Sequence, residues 1–94
     1  MTQEELFHAF DEIVKLLPKE FDSHEFIRKF IFNYPQRYGQ LLIKHNNVST
    51  AHGEIANFLR NNSCRLSIEQ SLYKVYSNDI FGLQKLNALW HKIN

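Results

Sequence analysis

The chain has 94 residues, with eleven Lys and Arg against ten Asp and Glu, eight Phe, four Tyr and one Trp, but only three Gly, two Pro and one Cys. That composition excludes a disordered or linker-like chain and an internal disulfide framework, and no apolar run approaches the ~20 residues of a membrane span. The near-neutral total hides a split, because residues 1–25 hold seven acids and two bases while residues 26–94 hold nine bases and three acids.

A basic surface of this kind favours an anionic partner, and for a small helical domain the usual one is nucleic acid. The plainer expectation is that the two halves neutralise each other, within one molecule or between two. The length fits a single domain whose aromatic side chains bury enough area to make a core. A lone Cys64 and an acidic, polar start, the reverse of a signal peptide, read as a cytoplasmic protein.

The first helix is marked by capping-box spacing between Thr2 and Glu5, and Leu6, Phe10, Ile13, Val14 and Leu17 follow as one apolar stripe that Pro18 ends. A second capping box, Asp22 with Glu25, opens the next helix, with Phe21 and Phe26 placed as a hydrophobic staple. Phe26, Ile27, Phe30, Ile31 and Tyr34 share its inner face. Phe32 sits nearly opposite, which implies burial on two sides or an exposed contact residue, the first being commoner in a small core. Pro35 suits the first turn of a third helix with Tyr38, Leu41, Leu42 and His45 inward.

Asn46-Asn47 breaks that pattern, and Ser49 or Thr50 caps a fourth helix carrying Ala51, Ile55, Phe58 and Leu59 on one stripe up to Asn61-Asn62. From Cys64 the period changes: Cys64, Leu66 and Ile68 alternate with Arg65, Ser67 and Glu69, and Leu72 to Tyr76 is rich in β-formers. Ser77-Asn78-Asp79 with Gly82 is turn material. The stretch from Leu83 to Ile93 fits a helix or a strand. Trp90 within it reads as a core anchor for the final segment.

The expected class is therefore α+β, mainly α: four N-terminal helices followed by a small β-hairpin. The single domain comprises an acidic helix and linker (1–22), a helical core (23–62) and a hairpin with the C-terminal segment (63–94). The order of elements over residues 23–93 resembles a winged helix-turn-helix domain. Residues 35–45 would be the first helix of the motif and 50–62 the recognition helix, with a wing centred on Ser77–Gly82. The turn Asn46-Asn47-Val48-Ser49 lacks the glycine often found at that point.

With Ala51, Ile55, Phe58 and Leu59 inward, the opposite line at 100° per residue is Thr50, Gly53, Asn57 and Arg60. A hydroxyl and free amides at a helix start hold phosphate, Asn pairs with adenine and Arg with guanine, and Gly53 lets a groove wall approach. Lys74 and Lys85 flank the expected wing, and Arg28, Arg37 and Lys44 lie on flanking helices. The expected function is a small, non-enzymatic domain that binds nucleic acid, duplex DNA in particular, as a regulator or accessory factor. The alternative is a protein-interaction module of bacterial or phage type, docking a partner or a second copy through the acidic helix or around Phe32.

No spacing points to catalysis or to a cofactor. His45 with His52, and His8 with Glu12, fall short of the three or four ligands a zinc site needs. Cys64 on the inner side of a strand would be a small buried hydrophobe, since a nucleophile needs a base and an electropositive setting beside it. No glycine-rich phosphate loop occurs, and no small-molecule substrate is evident. The tyrosines Tyr34, Tyr38, Tyr73 and Tyr76 are expected to close the core edge, with base stacking as the second use.

Overall fold

The computed structural model describes residues 2–93 and is an α+β fold, mainly helical, with five helices and a three-stranded antiparallel sheet. The first helix, α1 (Gln3–Leu16), starts where the Thr2 hydroxyl accepts the Glu5 amide at 3.1 Å, and its inward stripe buries Ala9, Phe10, Ile13 and Val14. Leu17 closes it in extended conformation and is itself buried.

Residues 20–22, expected as linker, form strand β1 (Glu20–Asp22), which pairs with the last strand through Phe21↔Trp90. Asp22 then caps α2 (Ser23–Asn33) with a full capping box: its carboxylate accepts the Glu25 amide at 2.8 Å, and the Glu25 carboxylate accepts the Asp22 amide at 3.2 Å. The staple is present too, with the Phe21 and Phe26 rings 6.4 Å apart. Phe10 is the hub of the core, its ring 4.7 Å from Phe26, 5.4 Å from Phe30 and 4.7 Å from Phe58. Tilted and edge-on contacts of this kind add to the area buried by each ring. α1, α2 and the fourth helix therefore meet on one phenylalanine.

Helix α3 (Pro35–His45) begins on proline at its first position and stops at Asn46, which takes the left-handed conformation at φ 51°. Asn47 caps α4 (Val48–Asn61), its Oδ1 accepting the Thr50 amide at 2.9 Å. The cap is thus two residues earlier than Ser49, the nearer of the two expected positions. Two adjacent asparagines do both jobs, ending one helix and starting the next, because Asn tolerates the left-handed region and its side chain accepts backbone amides.

Beyond α4 the expected strand is delayed by one helical turn, α5 (Ser63–Leu66), closed by Ser67 at φ 57°. Leu66 is buried from this turn and Ile68 from the strand after it, so two inward residues of different elements imitate an alternation. Cys64 consequently lies exposed on α5, contrary to a buried strand position. Strands β2 (Ile68–Asn78) and β3 (Gln84–Lys92) form the hairpin, and sheet order is β1-β3-β2. The C-terminal segment is therefore strand, with Trp90 only 1 % exposed.

The pairing skips between Gln70↔Trp90 and Lys74↔Ala88, so Ser71, Leu72 and Tyr73 bulge out of register. Such a bulge bends the strand and strengthens its twist. It also turns Tyr73 outward, and with Tyr76 further along the strand these two tyrosines are exposed instead of closing the core. Tyr38 is buried and Tyr34 half-buried, as expected. Phe32 is 82 % exposed, so of the two readings of α2 the two-sided burial does not hold and the exposed position does.

Candidate functional site

A groove of about 560 Å³ opens between α4, the N-terminal end of α2 and the β2–β3 hairpin. Ile27 and Trp90, both nearly buried, show only their edges to it, and Ala56, Ile80 and Ala88 add further apolar lining. Arg60 from α4, Lys74 from β2 and Lys85 from β3 line the same groove with exposed side chains. The fold thus brings together three cations that are up to 25 positions apart in the chain.

The wall facing α4 is held by a polar network. The His24 amide donates to Asn87 Oδ1 at 3.0 Å, and His24 Nδ1 shares a 2.8 Å hydrogen bond with the Ser77 hydroxyl. Asn87 Nδ2 donates onward to the Val75 carbonyl at 3.0 Å and to Ser77 Oγ at 3.1 Å. Arg28 donates through Nη1 to the Asn78 carbonyl. Each bond spans α2 and the hairpin, or one hairpin strand and the other, so the groove has a preformed shape.

The turn that carries the hairpin is built on Asp79. Its carboxylate accepts the amides of Phe81 at 2.9 Å and Leu83 at 3.0 Å, and Gly82 takes φ 79°, a conformation glycine adopts without a side-chain clash. Desolvation opposes ionisation of this carboxyl, but the amides of Leu83 and Phe81 and the nearby Lys85 hold it below the usual carboxylate range. Asp79 is the one acid lining the groove among the described residues, and Lys85 Nζ lies 3.5 Å from it. Arg60 and Lys74 have no carboxylate partner among the described residues.

On the α4 side, His52 shares a 2.7 Å hydrogen bond between Nε2 and the Tyr38 hydroxyl. Burial lowers the His52 pKa, with Asp79 opposing the shift and His24 adding to it, and burial raises the Tyr38 phenol. The pair is therefore uncharged near neutral pH and ties α3 to α4 behind the groove.

Of the six residues expected to meet a ligand, Gly53, Arg60, Lys74 and Lys85 line this groove, while Thr50 and Asn57 lie exposed on α4 outside it. Four of the six already have partners, Lys85 being beside Asp79. Arg60 Nη1 donates to Asn57 Oδ1 at 2.9 Å, and the Thr50 amide and hydroxyl both donate to Asn47 Oδ1. Thr50 therefore offers no free amide; its hydroxyl and amide serve the helix cap. Sequence reasoning missed His24, Asp79 and Asn87, since their roles depend on contacts made more than fifty residues away in two of the three cases.

The acidic helix is partly neutralised within the molecule. Glu4 lies 3.2 Å from Arg65 and Glu5 3.5 Å from Arg37, so Arg37 is engaged there instead of on a flanking basic surface. The guanidinium of Arg65 also stands 3.9 Å from the Phe7 ring centroid. His45 faces Glu54 at 4.0 Å, and the described residues contain no cluster of three His, Cys, Asp or Glu side chains able to hold a metal ion. No described helix is long and apolar enough to cross a membrane. Searches against protein-family models, curated proteins and solved structures found no match to this chain.

Proposed function

We propose that this domain binds nucleic acid, duplex DNA included, as a small accessory or regulatory factor, using α4 and the β2–β3 hairpin in the manner of a winged helix. The observation that carries this reading is the shared groove, where Arg60, Lys74 and Lys85 converge on the exposed edge of α4 and the single acid is already neutralised by Lys85. Cations from three elements on one concavity match a phosphodiester chain better than any neutral ligand. The order α3, short turn, α4, the single turn α5, β2, β3 supports the same reading, with α5 as an added turn between the helix pair and the hairpin. Arg60, pre-oriented by Asn57, is the residue best placed to reach a base edge or phosphate.

With so few cations the affinity should be modest and steeply salt-dependent. Arg60→Ala and Lys74→Ala, both at exposed positions, should weaken a mobility shift of duplex or single-stranded DNA at low salt without lowering the melting temperature. Absence of binding to every form of nucleic acid at low salt disproves the reading.

A second reading, a protein-docking module, is favoured by one observation. Phe32 at 82 % exposure and Leu16 at 57 % line a shallow depression of about 430 Å³ beside Arg28 and Lys29. Exposed aromatics of this size are candidates for an interface. The acidic end of α1 is less available for docking, since Glu4 and Glu5 already pair with arginines.

A further inference from the structure

We infer that the groove is shaped for one unpaired nucleotide, its base held between the apolar walls and its phosphate on Arg60 and Lys74. This rests on the nucleic-acid reading above and specifies the form of the ligand. A phosphate chain alone has no use for the inner surface of this groove. Ionic contact requires only the cations, whereas Ile27, Ala56, Ile80 and Trp90 line a cleft of about 560 Å³ that water would otherwise fill. Filling such a cleft with a flat heteroaromatic ring removes apolar surface from water, and the cations at its edge then need an anionic group joined to that ring. A nucleotide has both parts in one unit.

Phe81 strengthens the case. It lines the groove from the hairpin turn yet remains 66 % exposed, a stacking face at the lip. Base stacking on an exposed aromatic beside a basic track is the common physical basis of single-strand binding. Polar groups for the base edge are at hand in Gln70 and His24, both lining the groove. The exposed Gln70 amide and the His24 ring nitrogen not bound to Ser77 can pair with a base edge, which an apolar peptide side chain cannot do. A paired base inside a duplex cannot enter, so single-stranded or locally opened nucleic acid is the preferred form.

The single tryptophan makes the test direct, because Trp90 lines the groove. Its fluorescence is titrated with a short oligothymidylate, with adenosine monophosphate and with a perfect duplex of mixed sequence, alongside anisotropy of labelled strands. The expected result is saturable quenching by the oligothymidylate and affinity about tenfold above that for the duplex. Quenching by adenosine monophosphate as well identifies a free nucleotide as sufficient, and quenching by the strand alone identifies a nucleotide within a chain. Phe81→Ala, at an exposed position, should lower single-strand affinity about tenfold while leaving duplex affinity within about twofold. Ala56→Phe, which fills the groove, should likewise lower single-strand affinity, with a thermal melt confirming that it folds.

Duplex binding as tight as single-strand binding, or equal losses for both in Phe81→Ala, overturns the inference and leaves the nucleic-acid reading standing. Quenching of Trp90 by an acidic, phenylalanine-containing peptide and by no nucleotide overturns it in favour of a peptide groove. Failure of every nucleic acid to bind overturns the reading beneath it as well.

Discussion

The indole Nε1 of Trp90 donates to the Ser23 hydroxyl at 3.1 Å, joining the last strand to the first turn of α2 across most of the chain. Trp90 is also the cross-strand partner of Phe21, so one side chain connects the helical core, β1 and the hairpin. The groove exists because this joint holds the hairpin against α2.

The first prediction concerns that joint. Trp90→Ala should cost about 3–5 kcal/mol, the usual range for deleting a large buried aromatic and a large share of the stability of a domain this small. Ser23→Ala should cost less, about 1–3 kcal/mol, by leaving a buried indole N–H without an acceptor. Ending the chain after residue 88 removes the partner of β1 and should eliminate the cooperative transition. Urea melts of the three proteins check the order, and an unchanged midpoint for Trp90→Ala disproves the anchor role.

The second prediction follows from His52, whose pKa burial lowers from 6.5. The unfolded chain takes up this proton at higher pH than the folded one does, so stability rises with pH through the interval between the two values. The contribution is complete above about pH 6.5 and is lost as pH falls toward the lower, folded value. His52→Gln should remove this part of the slope. Urea midpoints of both proteins at neutral pH and at mildly acid pH measure it, and identical slopes disprove the role.

How much of this was legible in the sequence follows from where each signal resides. The caps of α1 and α2, the Phe21–Phe26 staple and the stripe of Phe10, Ile13 and Val14 are local, and a chain reading recovers them. β1 was not legible, because three residues have no period and Glu20–Asp22 become a strand only by pairing with β3. The turn at Ser63–Leu66 was hidden because Leu66 and Ile68 are both buried two positions apart, as in a strand. Phe32 stood between two readings, because helical spacing puts it opposite the core stripe without showing whether anything packs there. The exposed edge of α4 could be derived from a 100° spacing, but the groove opposite it could not. His24, Asp79 and Asn87 are ordinary polar residues in sequence, and only the folded hairpin gives them partners.

The third prediction uses Gly53. It costs α4 about 1 kcal/mol of helix propensity relative to alanine, and a Cβ at this position would meet no atom within 4 Å. No contact inside the molecule requires glycine here. Gly53→Ala should therefore raise stability by up to about 1 kcal/mol. Because Gly53 lines the groove, the same methyl should weaken nucleic-acid binding if the ligand lies close to the helix. A variant that is both more stable and equally able to bind would show that the ligand keeps its distance from this part of α4.

The last prediction separates the two roles of Asp79. Its carboxylate holds the hairpin turn by accepting the Phe81 and Leu83 amides, and it also sets a negative charge 3.5 Å from Lys85 inside the groove. Asp79→Asn keeps one amide-accepting oxygen in nearly the same place but removes the charge. Stability should fall, since charge-assisted acceptors are replaced by a neutral one. Binding of a polyanion should strengthen, because Lys85 is released and the groove gains one net positive charge. Asp79→Ala removes the acceptor as well, so the turn should loosen and that gain in binding should shrink despite the same change in charge. Affinities of the three proteins for one labelled oligonucleotide, measured over a range of salt, separate these effects. A steeper salt dependence in Asp79→Asn than in the parent places Lys85 at the ligand, and weaker binding in Asp79→Asn places the ligand elsewhere.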